Sequence, residues 1–162
     1  DAGLARAMEP RAPTPQRRLA MIRALSEAGV PVRLMMAPLI PGLTDHEIEA
    51  IMAAAKEAGA QTAWWTPLRL PHEVSPLFQD WLTHNRPNHA GKVMKLVREM
   101  RGGRDNDPDF HSRFRGSGPY AEMLSLRVKK ARARLGYAKT LADLDCGKFR
   151  KPPRAGDQLS LF

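Results

Sequence analysis

The sequence predicts an α/β protein, with consecutive (β/α) units of a parallel sheet or barrel followed by a mainly helical, basic extension. Three observations predict it. Ala28-Gly29 and Ala58-Gly59 stand thirty residues apart, the length of one strand–helix unit. Each of these glycines follows a helical pattern and precedes an apolar run. The charge is also divided. Residues 1–90 carry nine Lys/Arg and nine Asp/Glu, whereas residues 91–154 carry seventeen against seven.

The elements follow in order. Thr14-Pro15 is an N-cap followed by proline at the first helical position, so a helix runs to about Ala28 with Leu19, Ile22 and Leu25 inward. Gly29 stops it. Val30 to Ala37 is nearly all apolar, the pattern of a strand buried on both faces. Pro38 to Leu43 reads as a loop. Thr44-Asp45-His46-Glu47 is a capping box, Thr44 as cap and Glu47 three residues on. Ile48, Ile51, Met52 and Ala55 share the face of the helix it opens, and Gly59 ends that helix. Gln61 to Leu70 is a second strand candidate, weakened by Pro67. Two parallel strands are too few for a sheet, so further strands are expected upstream. An N-terminus with neither Met nor a signal-like apolar core agrees with that.

Beyond Leu70 the pattern changes. Phe78, Trp81 and Leu82 suggest a short helix. Ala90 to Met100 is a basic amphipathic helix ended by Gly102-Gly103. Arg104 to Pro119 is a polar loop, and Pro119 to Leu135 another helix. Three regions result: residues 1–70 with the (β/α) units, residues 71–137 with the helical basic extension, and a flexible tail at 138–162. A net charge of +9, gathered in residues 91–154, suits either DNA as a partner or a solvated helical surface.

Composition sets limits on the chemistry. One cysteine, Cys146, excludes an internal disulfide and any multi-cysteine zinc or iron–sulfur site within this chain. His46, His72, His84, His89 and His111 show no metal-ligand spacing, so no metal site is expected here. No run of apolar residues spans a membrane, and cytoplasm is the default location. In parallel α/β folds ligands bind beyond the C-terminal ends of strands. Pro38-Leu39-Ile40-Pro41-Gly42 and Leu68-Arg69-Leu70-Pro71 sit at such ends, although a tight turn fits Pro41-Gly42 equally well. Glu9-Pro10-Arg11 should follow an upstream strand, either as a ligand clamp or as a surface ion pair.

Met8-Glu9-Pro10-Arg11-Ala12-Pro13, the run from Val32 to Asp45 (VRLMMAPLIPGLTD) and Leu68-Arg69-Leu70-Pro71 resemble the later barrel units of radical S-adenosylmethionine (radical SAM) proteins. The later runs Met100-Arg101-Gly102-Gly103-Arg104, Arg113-Phe114-Arg115-Gly116 and Gly118-Pro119-Tyr120-Ala121 are similar to a bacterial subfamily related to spore photoproduct lyase. The resemblance covers roughly residues 1–137. It implies a partial barrel and a [4Fe–4S] cluster on a Cys-x3-Cys-x2-Cys loop near the start of that barrel. It also implies reductive cleavage of SAM to a 5′-deoxyadenosyl radical, and DNA-repair-like chemistry on nucleic acid. By the same resemblance, Glu9 and Arg11 match the segment at the polar end of SAM. Ile40, Pro41 and Gly42 match the loop beside the adenine, and Arg69 faces the active site. No catalytic residue is assigned. The cluster ligands would belong to the upstream half of the same protein, and this chain alone would be inert.

The last residues carry a separate signal. Gln158-Leu159-Ser160-Leu161-Phe162 matches the consensus by which bacterial proteins bind the DNA polymerase sliding clamp. Leu161 and Phe162 would anchor in an apolar cleft, with Leu159 beside them and Gln158 at the cleft edge. The alternative is a tail that docks on its own domain. A competing function is therefore a non-catalytic DNA-associated module recruited to the clamp by this peptide.

Overall fold

The computed structural model describes residues 1–141, 143 and 145–154. The peptide from Gln158 to Phe162 lies outside the described residues. The chain is mixed α/β. Helices α1 (Ala2–Met8) and α2 (Pro15–Glu27) precede strand β1 (Arg33–Leu39). A 3-10 turn (Asp45–Glu47) leads into α3 (Ile48–Glu57), followed by β2 (Thr62–Pro67). Helices α4 (Val74–Asn85), α5 (Pro87–Glu99) and α6 (Gly118–Arg134) complete the fold, with a last 3-10 turn at Cys146–Lys148. Among the described residues no helix is long and apolar enough to cross a membrane.

The strands pair in parallel, in register from Arg33 opposite Thr62 to Met36 opposite Trp65. The register then slips before Leu39 meets Pro67. Pro38 lies in the slip and has no N–H to give a ladder. Pro67 is tolerated because it is the last residue of its strand. The expectation of a strand buried on both faces needs correction. Leu34, Met36 and Leu39 are buried, but Met35 is 49% and its partner Trp64 51% exposed. Helical cover comes from one side, where Leu19 and Ile22 of α2 and Ile48, Met52 and Ala55 of α3 pack on the sheet. Leu25, expected inward, is exposed.

Two apolar clusters hold the molecule together. The first joins the sheet and α3 to Met100, Leu124, Val128 and Tyr137. The second joins Leu4, Ile40, Leu43, Leu68 and Leu70 to Phe78 and Leu82 of α4 and Val93, Met94 and Val97 of α5. Both clusters mix residues from before and after Leu70, so the helical extension shares the core of the strand–helix units. A bidentate pair from Arg127 to Glu49, at 2.9 and 2.6 Å, locks α6 to α3. Accepting from Arg127 holds the Glu49 carboxyl below its ordinary range.

Two local expectations fail for identifiable reasons. Thr44 caps no helix, because its hydroxyl instead accepts the Ile40 N–H at 2.8 Å and closes the preceding turn. Glu47 returns no capping bond either, and takes the Asp1 ammonium at 2.7 Å. Glu9 follows a helix rather than a strand. Asp1 caps α1 by accepting from Gly3 and Leu4, and Ala7 accepts from the Trp81 indole of α4, which fixes α1 in place.

Tyr120 donates to the buried Asp45 carboxylate, and Tyr137 donates to the Met52 carbonyl at 2.7 Å. Burial, helped at Tyr120 by Asp45, pushes both hydroxyls from 10.0 up to about 12. Below pH about 10 both the folded and unfolded chains keep these protons. Between about 10 and about 12 only the unfolded chain loses them, so this stability is lost as pH rises through that window. Urea midpoints measured across it should fall more steeply for the wild type than for a Tyr120→Phe/Tyr137→Phe double variant. Parallel slopes would refute the assignment.

Candidate functional site

The exposed side of the sheet forms one wall of a cleft of about 1040 Å³. Met35, Trp64 and Thr66 line it from the strands, Ala121, Ser125 and Lys129 from α6, and Phe110 and Phe114 from the loop before α6. That volume is at the upper end of the range of small-molecule sites, roughly 300–1,000 Å³. Alternation along the strands explains why the wall is apolar. Once Leu34 and Met36 point to the helices, Met35 must point away.

At the C-terminal end of β2, cationic and aromatic side chains interleave. The Arg69 guanidinium carbon lies 4.9 Å from the centre of the Phe114 ring. Arg113 lies 4.9 Å from the same ring and 4.6 Å from Phe110. His111 meets Phe110 edge-on at 5.7 Å. The Nε atoms of Arg69 and Arg113 and the Oδ1 of Asn106 are buried without a hydrogen-bond partner. A buried donor left unpaired costs about 1–3 kcal/mol, so this corner of the fold is held at some expense of stability.

Arg101 organises the corner from beneath. It is 4% exposed, and donates one Nη to the Leu68 carbonyl at 2.9 Å and the other to the Arg113 carbonyl at 2.7 Å. Burial lowers its pKa from the ordinary value. Nearby Asp107 opposes that effect and Arg69 adds to it. Asp105 ties the start of the loop to α4 and α5, accepting from Ser75 at 2.7 Å and from Arg98 at 2.7 Å. Accepting from Arg98 and Ser75 holds the Asp105 carboxyl below its usual range. A polar stretch read from sequence as a plain loop is thus fixed at both its ends.

The structure separates the residues singled out from the sequence. Glu9 and Arg11 are exposed, and Glu9 pairs with Arg18 at 2.9 Å rather than with Arg11. An ion pair that exposed contributes roughly 0–1 kcal/mol. Ile40 and Pro41 are buried. The Ile40 amide goes to Thr44, and the Gly42 amide to Asp45 at 2.9 Å. A Cβ on Gly42 would stand 3.0 Å from Leu96 of α5, so that loop packs tightly against a helix. Arg69 alone of the six stacks on a ring that lines the cleft, that of Phe114. Trp64, Arg101, Phe110 and Arg113 were missed as site residues. The exposed aromatic in an otherwise inward strand, and the Phe110-x-x-Arg113-Phe114 spacing, were the available signals.

Among the described residues no group of three or more His, Cys, Asp or Glu is placed to hold a metal ion, and Cys146 is exposed. A four-iron cluster needs several thiolates, so this chain's donor set does not fit one.

No family model and no solved structure matches the chain. A protein of Mycobacterium bovis described as uncharacterized is 33% identical over 100 residues, which is 60% of this chain and 29% of that protein. Two proteins of Mycobacterium tuberculosis, described in the same way, match with the same figures. The chain therefore spans less than a third of the curated relatives it matches.

Proposed function

We propose that this chain is the C-terminal region of a radical SAM enzyme, contributing barrel wall and part of a substrate site to a longer parent that acts on nucleic acid. The observation that carries the reading is the one-sided sheet. Two parallel strands are covered by helices on one face and present Met35 and Trp64 on the other, with the cationic corner beyond their C-terminal ends. A partial barrel has this arrangement, with helices outside and ligands at the strand C-terminal ends. The motif resemblance over residues 1–137 supports the same reading. Similar sequence within mycobacterial proteins more than three times as long as the matched segment supports the longer parent alone.

In such a parent the cluster ligands lie upstream, and the cluster with SAM would supply the radical. This chain's residues would shape the cavity and exclude water from it. Within the proposal, Arg69 is the best placed of the residues assigned to SAM, while Ile40, Pro41 and Gly42 act as packed support. The solvated Glu9 and Arg11 would need the upstream half to bring a ligand to them.

The test is anaerobic reconstitution of the parent protein with iron, sulfide, reductant and SAM. The expected product is 5′-deoxyadenosine, and the expected upstream motif is Cys-x3-Cys-x2-Cys. A parent lacking that motif and yielding no 5′-deoxyadenosine would overturn the reading. It would favour the second one, a non-catalytic DNA-associated module recruited to the sliding clamp through Gln158, Leu159, Leu161 and Phe162.

A further inference from the structure

Two of the chain's three tryptophans, Trp64 and Trp65, and two of its five phenylalanines, Phe110 and Phe114, line the cleft beside the sheet. Such a gathering of rings favours a flat ring as occupant, since aromatic faces stack on one another. Glu122, Ser125, Lys129 and Arg132 also line the cleft. Steps of three and four residues put them on one face of α6, over a length of about 15 Å. Charge is unevenly divided along that face. Near the start of α6, Glu122 is offset by Arg115 of the preceding loop, which lines the same cleft. Toward the other end stand Lys129 and Arg132, and among the described residues neither forms an ion pair. Arg132 is held in place by donating to the carbonyls of Ala138 at 3.4 Å and Lys139 at 3.3 Å. The Ala138 amide donates in turn to the Gln61 carbonyl at 2.9 Å, so the cationic end lies level with the start of β2. Trp64 stands three residues beyond Gln61, about 10 Å along the strand.

We propose that this cleft binds a nucleoside triphosphate, with its base stacked on Trp64 and its phosphates held by Lys129 and Arg132. The inference goes beyond the function proposed above and requires neither cluster nor SAM. An inorganic polyphosphate would answer the two cations but leave the rings unused. A fatty-acid anion would lay its acyl chain against Trp64, which is 51% exposed, and so keep much of that chain in water. A base stacks by its face and keeps its polar edge toward water, so an open wall suits it. A separation of about 10 Å between ring and cations leaves room for a sugar and a chain of phosphates.

The experiment is isothermal titration calorimetry of the 162-residue chain with ATP, adenosine and inorganic tripolyphosphate, at about 0.15 M salt. ATP should bind about tenfold or more tighter than either of its parts. Lys129→Gln and Arg132→Gln should each weaken ATP about tenfold and leave adenosine unchanged, the loss of one charge-assisted contact. Trp64→Leu should weaken ATP about tenfold and leave tripolyphosphate unchanged, the loss of one stacked base. Lys130→Gln, exposed on the same helix but outside the cleft, should change nothing. Lys129 and Lys130 are both exposed, so that pair compares folded proteins, and circular dichroism checks the other variants. Tripolyphosphate binding as tightly as ATP would overturn the proposal, as would decanoate binding more tightly. Equal losses in Lys129→Gln and Lys130→Gln would do the same, since surface charge alone predicts them. So would ATP affinity weaker than about 1 mM. Because the readout is binding to this chain alone, a negative result leaves the SAM assay undecided, and a negative SAM assay leaves this result standing.

Discussion

Arg101→Ala is expected to destabilise the chain by about 3–5 kcal/mol, more than any change to an exposed arginine. The side chain is buried, and its two nitrogens satisfy the carbonyls of Leu68, just after β2, and Arg113, in the loop before α6. Truncation leaves both carbonyls without a donor, each costing about 1–3 kcal/mol, and opens a cavity where the guanidinium lay. Arg101→Lys should rescue only part of the loss. An ammonium cannot span two carbonyls in the planar fork geometry of a guanidinium. Arg101→Met should cost less than Arg101→Ala, because it fills the space and removes a buried charge whose counter-ions are weak. Urea denaturation gives the three values. Amide exchange should show the loop from 104 to 117 opening earlier in Arg101→Ala than the core of α3. A loss below about 1 kcal/mol, or an unchanged loop, would mean that Arg101 anchors nothing.

That prediction also has functional content. Phe114 lines the cleft, Arg101 holds the adjoining Arg113 carbonyl from below, and Asp105 holds the loop's start to Ser75 and Arg98. A loosened loop should therefore disturb that end of the cleft even under conditions where the remaining core is folded. The buried arginine is the link between fold stability and the proposed site.

Local signals in the sequence were reliable where the decisive interaction is local. Thr14-Pro15 does start α2, with Thr14 accepting from Arg17, and the two Ala-Gly pairs do end helices. The parallel pairing of β1 with β2 follows from the spacing of those stops. Signals failed where a distant or competing partner decided the outcome. Thr44 had two suitable donors within reach, and the Ile40 amide of its own turn won over the helix terminus. Val30 to Ala37 was apolar enough for burial on both faces, but residue type alone does not reveal which face has a neighbour. The stretch from 104 to 117 read as a plain polar loop because its order comes from Arg101 and Asp105, whose partners lie 7 to 33 residues away. At the candidate site, Arg69 was legible from its position after a strand. The rings that fix it were not, since Phe110 and Phe114 become neighbours of β2 only through the tertiary fold.

The Ala-Gly repeat itself yields the second large effect, because two positions equal in sequence are unequal in structure. Gly29 and Gly59 both follow a helix at positive φ, +76° and +106°. An added Cβ at Gly29 meets nothing within 4 Å. Gly29→Ala should therefore cost only the backbone strain, about 1–2 kcal/mol. At Gly59 the same atom would lie 2.2 Å from the Ser26 hydroxyl and 2.5 Å from its Cβ. There α2 and α3 approach through that serine, whose hydroxyl donates to the Gly59 carbonyl at 3.4 Å. Gly59→Ala must add displacement of α2 to the strain, for a total of about 2–5 kcal/mol. Ser26→Gly should recover the overlap part but not the strain when placed in the Gly59→Ala background. In the Gly29→Ala background it should recover nothing. Thermal or urea unfolding of the five proteins separates the two terms. Equal losses at Gly29 and Gly59 would mean that the helices can separate freely, and that the contact between α2 and α3 does not constrain the sheet they cover.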